Sequence, residues 1–228
     1  NFQRISLPFS NSEGRNNYEI KDIAEGKNGT IWVGTRDYGV FKVPVSNNVV
    51  QEKLIKQYHK GEKGATKLTH NIIRELYEDK NEILWIATNN GLTRMDVKKE
   101  TFTPFYFNIK DPKAPKNVLD GAVTSIYGSD DGYLWLGSLS GLIKFNTSDY
   151  SYKFFPHQYT VERYGWGEII EVVEDHKKNL WLAAAGGLMY YDTEKNNYTY
   201  FKNDPFRPES VSYNSISGLY KDRTNIIW

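Results

Sequence analysis

Four carboxylates, Asp37, Asp120, Glu162 and Glu168, lie in stretches that read as loops, and a lyase or glycosidase would need such groups in a converging pair. None stands in a recognisable motif with a second acid or a histidine. The four histidines fall at unrelated positions and the chain has no cysteine, so no metal-ligand spacing emerges. No catalytic residue, metal or cofactor is therefore expected. Gly137-Ser138-Leu139-Ser140-Gly141 has the outline of a nucleophile elbow, but Leu139 occupies the place that requires Ser. Asp130 and Asp131 suit Ca²⁺ or acid–base work, yet acidic residues recur at that turn throughout the chain and read as turn formers. A second set suits binding better than reaction: Arg36, Asp37, Tyr38, His70, Asn71, Asn89, Asn90, Arg163, Tyr164, Trp166, Tyr213 and Asn214. Rings offer flat apolar faces, while amides and guanidinium forks engage hydroxyls and anions.

Those residues need a scaffold, and the tryptophans reveal it. Trp32, Trp85, Trp135, Trp181 and Trp228 recur at roughly 50-residue intervals, a period that marks repeat arrays. Around each lies the same phrase: Ile31-Trp32-Val33-Gly34-Thr35, Leu84-Trp85-Ile86-Ala87-Thr88, Leu134-Trp135-Leu136-Gly137-Ser138, Leu180-Trp181-Leu182-Ala183-Ala184, and Ile227-Trp228. Gly39, Gly91, Gly141 and Gly187 follow, each placed to open a strand with positive φ. The second strand's small residues leave room where strands crowd, and the indole fills space between sheets.

Each copy reads as four short strands, a propeller blade. Positions 12 and 9 before each Trp are always apolar, for example Ile73 with Leu76 and Ile169 with Val172. An odd separation puts them on opposite faces of a regular strand, which suits an innermost strand packed on both sides. The fourth strands are aromatic-rich. The expectation is all-β: one β-propeller segment over 1–228, with blades at 18–58, 72–107, 123–155 and 169–201. Partial blades fall at 2–7 and 215–228. Long connections, Lys60 to Asn71, Asn108 to Ala122, Pro156 to Gly167 and Asn203 to Asn214, carry most of the binding candidates.

Composition sets outer bounds. With 29 basic and 28 acidic residues the net charge is +1, so nothing steers the segment toward nucleic acid. The most apolar run, Leu180 to Tyr191, is short of the ~20 residues of a membrane helix. No signal-peptide pattern opens the chain, so any signal or span is expected outside this segment. Asn28-Gly29-Thr30 and Asn197-Tyr198-Thr199 are glycosylation triplets that matter only in a eukaryotic secretory host.

The whole phrase resembles the two-component regulator propeller repeat: an apolar strand, Glu-Asp turn, Leu-Trp-Ile-Gly-Thr, Gly-Leu and an aromatic strand. It is similar to the extracytoplasmic sensors of Bacteroidetes hybrid two-component systems. The resemblance implies a periplasmic ectodomain of two seven-bladed propellers and a β-sandwich, ahead of a membrane helix and a histidine kinase. It implies a homodimer that detects oligosaccharides released from glycans. Sugars fit the binding set, and the candidates for contact are Arg36, Tyr38, His70, Asn89, Asn90, Arg163, Tyr164, Trp166 and Tyr213. Bland roles compete: Trp166 as a cap on a blade, Arg163 as a solvated charge, His70 and His157 as satisfied loop residues. Two other functions stay open, a non-catalytic interaction or dimerisation scaffold and a propeller lyase or glycosidase. The five repeating tryptophans are expected to be structural anchors.

Overall fold

The computed structural model describes residues 4–5, 7, 19–61, 68–109, 121–157 and 167–228. The chain divides into two compact units, Asn1–Phe107 and Asn108–Trp228. Each contains two antiparallel blades. Unit one has β1 (Ile20–Glu25), β2 (Thr30–Thr35), β3 (Val40–Ser46), β4 (Val49–Val50) and β5 (Lys56–Tyr58), then β6 (Ile73–Glu78), β7 (Ile83–Thr88), β8 (Gly91–Asp96) and β9 (Thr101–Phe105). Unit two has β10 (Val123–Gly128), β11 (Tyr133–Ser138), β12 (Gly141–Asn146) and β13 (Tyr152–Pro156), then β14 (Ile169–Glu174), β15 (Leu180–Ala184), β16 (Gly187–Asp192) and β17 (Asn197–Phe201). Sheet order follows chain order, except that the outer strand of the first blade is split: β4 and β5 both pair with β3. The short helices Lys27–Gly29 and Glu52–Leu54 are single 3₁₀ turns.

Local chemistry dictates these hairpins. At the first turn of the second blade, Asp79 Oδ1 accepts the N–H groups of Asn81 at 2.8 Å and Ile83 at 3.1 Å. Its Oδ2 accepts the Trp85 indole N–H at 3.1 Å. One carboxylate thus closes the turn and orients the anchor ring. Asp222 does the same for Thr224, Ile226 and Trp228. At the next turn Thr88 Oγ1 donates to Gly91 O at 3.0 Å and accepts from Asn90 N–H at 3.1 Å. Gly91 has φ 101°, and a Cβ there would lie 2.2 Å from Phe105 O, so only glycine fits.

Neighbouring blades within each unit share a dry seam. In unit one Trp32, Val40, Tyr58, Leu68, Ile73, Leu76, Leu84, Ile86 and Met95 form one buried cluster. In unit two Trp135, Leu142, Ile169, Val172, Leu180, Leu182, Ala184, Met189 and Tyr191 form its counterpart. Each such buried aliphatic side chain contributes about 1.5–3 kcal/mol. The small residue after the anchor Trp permits the close approach: a Cβ on Gly34 would stand 2.7 Å from Ile73, and one on Gly137 2.8 Å from Ile169 O.

The first strand of every complete blade departs from the expected alternation. Its register slips between Ile20 and Asp22, Ile73 and Glu75, Val123 and Ser125, and Ile169 and Glu171. Each slip sets an extra residue against the partner strand, a bulge that shifts the side-chain parity. Ile73 and Leu76 therefore share one face, as do Ile169 and Val172, and both pairs enter the seam with the preceding blade. The equivalent pair of the first blade, Ile20 and Ile23, is 50% and 59% exposed.

The segment 215–228 forms no strand. A single bridge joins Lys221 to Ile227, and Trp228 is 71% exposed where Trp32, Trp85 and Trp135 are at most 5% exposed. Trp228, expected as a fifth buried wedge, is thus exposed in this structure, in a segment joined by one bridge instead of paired strands. Trp181 is half-buried. Of the expected strand at 2–7, residues 4, 5 and 7 are described and are not in a strand.

Candidate functional site

In unit one the loop after β2, the connection from β5 to β6 and the β7–β8 turn are tied together by the main chain. Gly39 N–H donates to Asn71 O at 3.1 Å, and Asn89 N–H donates to Ile72 O at 3.3 Å. Asn71 Oδ1 accepts Lys60 N–H at 2.5 Å, fastening the two ends of the connection. Arg36, Tyr38, His70, Asn89 and Asn90 therefore ride on one continuous loop surface. Lys60 and Arg74 join them; sequence reasoning passed over both. Lys60 was one lysine among many in a polar loop, and Arg74 stands at the unforeseen bulge.

Each side chain has a definite setting. Arg36 Nη1 pairs with Glu19 Oε2 at 2.7 Å. Hydrogen bonds from Lys21 and then Arg36 pull the exposed Glu19 carboxyl down to about 2. Tyr38 is half-buried against Val33, Phe41 and Val43, and its carbonyl accepts Gln57 Nε2 at 3.0 Å. Asn89 Oδ1 accepts Arg74 Nε at 2.6 Å, and Asn90 is held by its main chain on Thr88 Oγ1. Lys60 Nζ donates to Thr69 O at 3.1 Å.

His70 Nδ1 accepts Ile72 N–H at 3.0 Å. The imidazole proton of the neutral ring is then on Nε2, which is a donor. Partial burial first, and then the Lys60 charge, lower the affinity of His70 for a second proton, with Asp37 opposing them. The surface thus offers two guanidinium groups, an ammonium, an imidazole N–H and two carboxamides, with Asp37 among them. That inventory recognises hydroxyls and carboxylates.

The remaining candidates lie elsewhere. Tyr213 belongs to unit two and is 70% exposed; beside it Asn214 Oδ1 accepts Asn203 N–H at 2.7 Å, repeating the Lys60–Asn71 clasp. Arg163, Tyr164, Trp166, Asp120 and Glu162 lie outside the described residues. His157 is buried, and its Nε2 sits 2.7 Å from Gly167 O, a structural loop role. No group of three or more His, Asp or Glu side chains among the described residues is disposed to hold a metal ion.

The repeats and the blades have counterparts among known proteins. Residues 14–37 and 67–90 match the two component regulator propeller family. Each matched stretch holds one anchor, Trp32 or Trp85. No curated protein matches the sequence. The fold is shared with the extracellular domain of a hybrid two component system of B. thetaiotaomicron, at a TM-score of 0.75 and 17% identity. That match covers 96% of this chain, which spans 27% of the ectodomain's length. The virginiamycin B lyase of Staphylococcus aureus also shares the fold, at a TM-score of 0.63 and 14% identity over 92% of this chain and 62% of that one. PorZ, a surface component of the type-IX secretion system of Porphyromonas gingivalis, matches at 0.59 and 14% identity, over 91% of this chain and 30% of its own.

Proposed function

We propose that this chain is part of the extracytoplasmic sensor of a hybrid two-component regulator, and that its loop surface in unit one takes up oligosaccharides released from glycans. The rest of the sensor would supply further blades, the β-sandwich, the homodimer contact and the histidine kinase that signals across the membrane. The segment itself acts by binding and not by catalysis. Support comes from the family repeats and from a fold shared with a hybrid-system ectodomain. An extracytoplasmic place fits that likeness, and among the described residues no helix is long and apolar enough to cross a membrane.

The observation that carries the ligand reading is the tethering of Arg36, Lys60, His70, Arg74 and Asn89 into one surface by the Gly39–Asn71, Lys60–Asn71 and Ile72–Asn89 hydrogen bonds. These groups suit a ligand rich in hydroxyls with an occasional carboxylate or sulfate. Calorimetry on the intact ectodomain with neutral and acidic oligosaccharides is the test. Binding that Asn89→Ala and His70→Ala each weaken about tenfold is expected. Absence of binding to every oligosaccharide, with the dimer retained, would leave the scaffold reading in its place.

A further inference from the structure

In each unit the outer strand of one blade faces the outer strand of the next, and register aligns the two places residue by residue. Lys56 of β5 pairs with Lys42 of β3, and Lys153 of β13 pairs with Lys144 of β12. Lys153 is therefore the counterpart of Lys56. Glu100 precedes Thr101, the partner of Asp96, and Asn196 precedes Asn197, the partner of Asp192. Asn196 is therefore the counterpart of Glu100, and the backbone agrees, with φ 52° at Glu100 and 54° at Asn196.

Unit one closes this place with charge. Lys56 Nζ meets Glu100 Oε1 at 2.9 Å and Oε2 at 3.1 Å, and Lys42 Nζ lies 3.8 Å from the same carboxylate. Unit two keeps both lysines and lacks the acid. Lys144 turns to Asp131 at 4.0 Å and to the Tyr133 ring at 4.2 Å. Asn196 is neutral, and its Oδ1 accepts the Tyr191 hydroxyl; Met95, with no hydroxyl, stands at the matching position of unit one. Lys153 is left with no ion pair among the described residues, its ammonium 4.9 Å from the centre of the Phe155 ring. Around it is a space of about 370 Å³, lined by Lys153, Phe154 and Phe155 of the third blade and Asn196, Asn197 and Tyr198 of the fourth. The Tyr198 hydroxyl donates to Phe155 O at 2.7 Å, which fixes the separation of the two walls.

We propose that this crevice binds a small organic anion, a carboxylate carried on a ring with an apolar face. The carboxylate takes the place against Lys153 that Glu100 holds against Lys56. The carboxamides of Asn196 and Asn197 supply neutral N–H donors beside it, and hydrogen bonds to an ionised group are the strong ones. The ring lies along Phe155 and Tyr198, which suit the face of an aromatic ring or the C–H face of a sugar. A mostly apolar cleft with a few convergent polar groups is the usual form of a small-molecule site. Both walls belong to complete blades of unit two, and the site does not rest on the oligosaccharide reading of unit one.

The test uses the full chain, labelled with nitrogen-15, and titrates it with glucuronate, benzoate and the methyl ester of each. Calorimetry reads affinity, and amide chemical shifts read the place. At least one acid is expected to bind with a Kd of about 1 mM or tighter and to move the signals of 153–155 and 196–198, its ester binding about tenfold more weakly. Which acid binds tells whether a sugar or an aromatic ring is taken. Lys153→Gln should weaken the acid about tenfold. Asn196→Glu rebuilds the ion pair of unit one at a φ that Glu100 already adopts; it should abolish acid binding without lowering the melting temperature. Lys153→Gln decides the matter if Asn196→Glu disturbs its turn. Acid and ester binding equally, undiminished binding to Lys153→Gln, shifts confined to other residues, or no binding of either acid overturns the proposal.

Discussion

The seams of the two units use the same backbone and opposite polar chemistry. In unit one the inner strand of the first blade presents an acceptor: Asp22 Oδ2 takes the Leu76 N–H at 2.7 Å. In unit two the matching strand presents donors: Thr124 Oγ1 and Ser125 Oγ give hydrogen bonds to Ile169 O at 2.6 and 3.3 Å. The side chains at the matching position, Asp22 and Ser125, thus meet different main-chain groups of the next blade: the N–H of Leu76, past the bulge of β6, and the C=O of Ile169, at the start of β14. Nearer the rim both seams place a glutamate of the second blade on the turn of the first. Glu78 Oε2 accepts the Trp32 indole N–H at 2.6 Å and its Oε1 accepts Lys27 N–H at 2.9 Å. Glu174 instead takes Ser129 Oγ at 3.0 Å and pairs with Lys178 at 2.7 Å. One repeat therefore tolerates different polar pairs, provided each seam satisfies its own.

Substitutions can break the comparison at its apolar base. Trp32→Ala should cost about 3–5 kcal/mol, because the ring is wholly buried in the unit-one seam. Trp228→Ala removes the same residue type at an exposed copy and should stay within about 0.5 kcal/mol. Urea unfolding of the two variants checks this, and equal costs would contradict the seam assignment. Gly137→Val should cost about 1–3 kcal/mol or more, since its Cβ would lie 2.2 Å from Ser125 Oγ and 2.8 Å from Ile169 O.

Much of this was legible beforehand, for a physical reason. A repeated indole followed by a small residue and then glycine constrains where a sheet turns and what it packs on, so strands, hairpins and sheet order could be read directly. The bulge could not be derived from a period-two reading of the strand. Its trace was nonetheless present: Ile73 with Leu76 and Ile169 with Val172 keep apolar residues at an odd spacing, which a regular strand facing one core does not require. At the loop surface His70, Asn71 and Asn89 were legible because hairpin turns and blade connections share an end. Lys60 and Arg74 were not, since position in a loop says nothing of which lysine a neighbouring carbonyl will fix.

Polar substitutions sharpen the comparison further. Glu78→Gln should cost about 1–2 kcal/mol by replacing a charge-assisted bond to the Trp32 indole with a neutral one. In unit two Glu174→Gln leaves Lys178 without its partner but keeps an acceptor for Ser129, and should cost less, about 1 kcal/mol. Paired denaturant titrations order the two.

The smallest effect depends on pH. Burial raises the Asp22 carboxyl above its usual 3.8, against hydrogen bonds from Leu76 and Ile23 that lower it. The folded state then holds the proton more tightly than the unfolded chain, so stability falls as pH rises from the unfolded value through the raised one. Asp22→Asn keeps an acceptor for Leu76 and removes the titration. It should match or exceed the parent at pH 7, with the advantage fading below pH 4. Thermal melts across pH 3–7 check it. The hydroxyls of Thr124 and Ser125 give the other seam no such dependence.

The single hydrogen that serves as a side chain at Gly34 and Gly137 acts as a spacer of minimum thickness. A methyl inserted at either point would meet the first strand of the next blade, at Ile73 in unit one and at Ile169 in unit two. Within each unit the bulk of that one residue thus sets how closely the second strand of one blade lies on the first strand of the next.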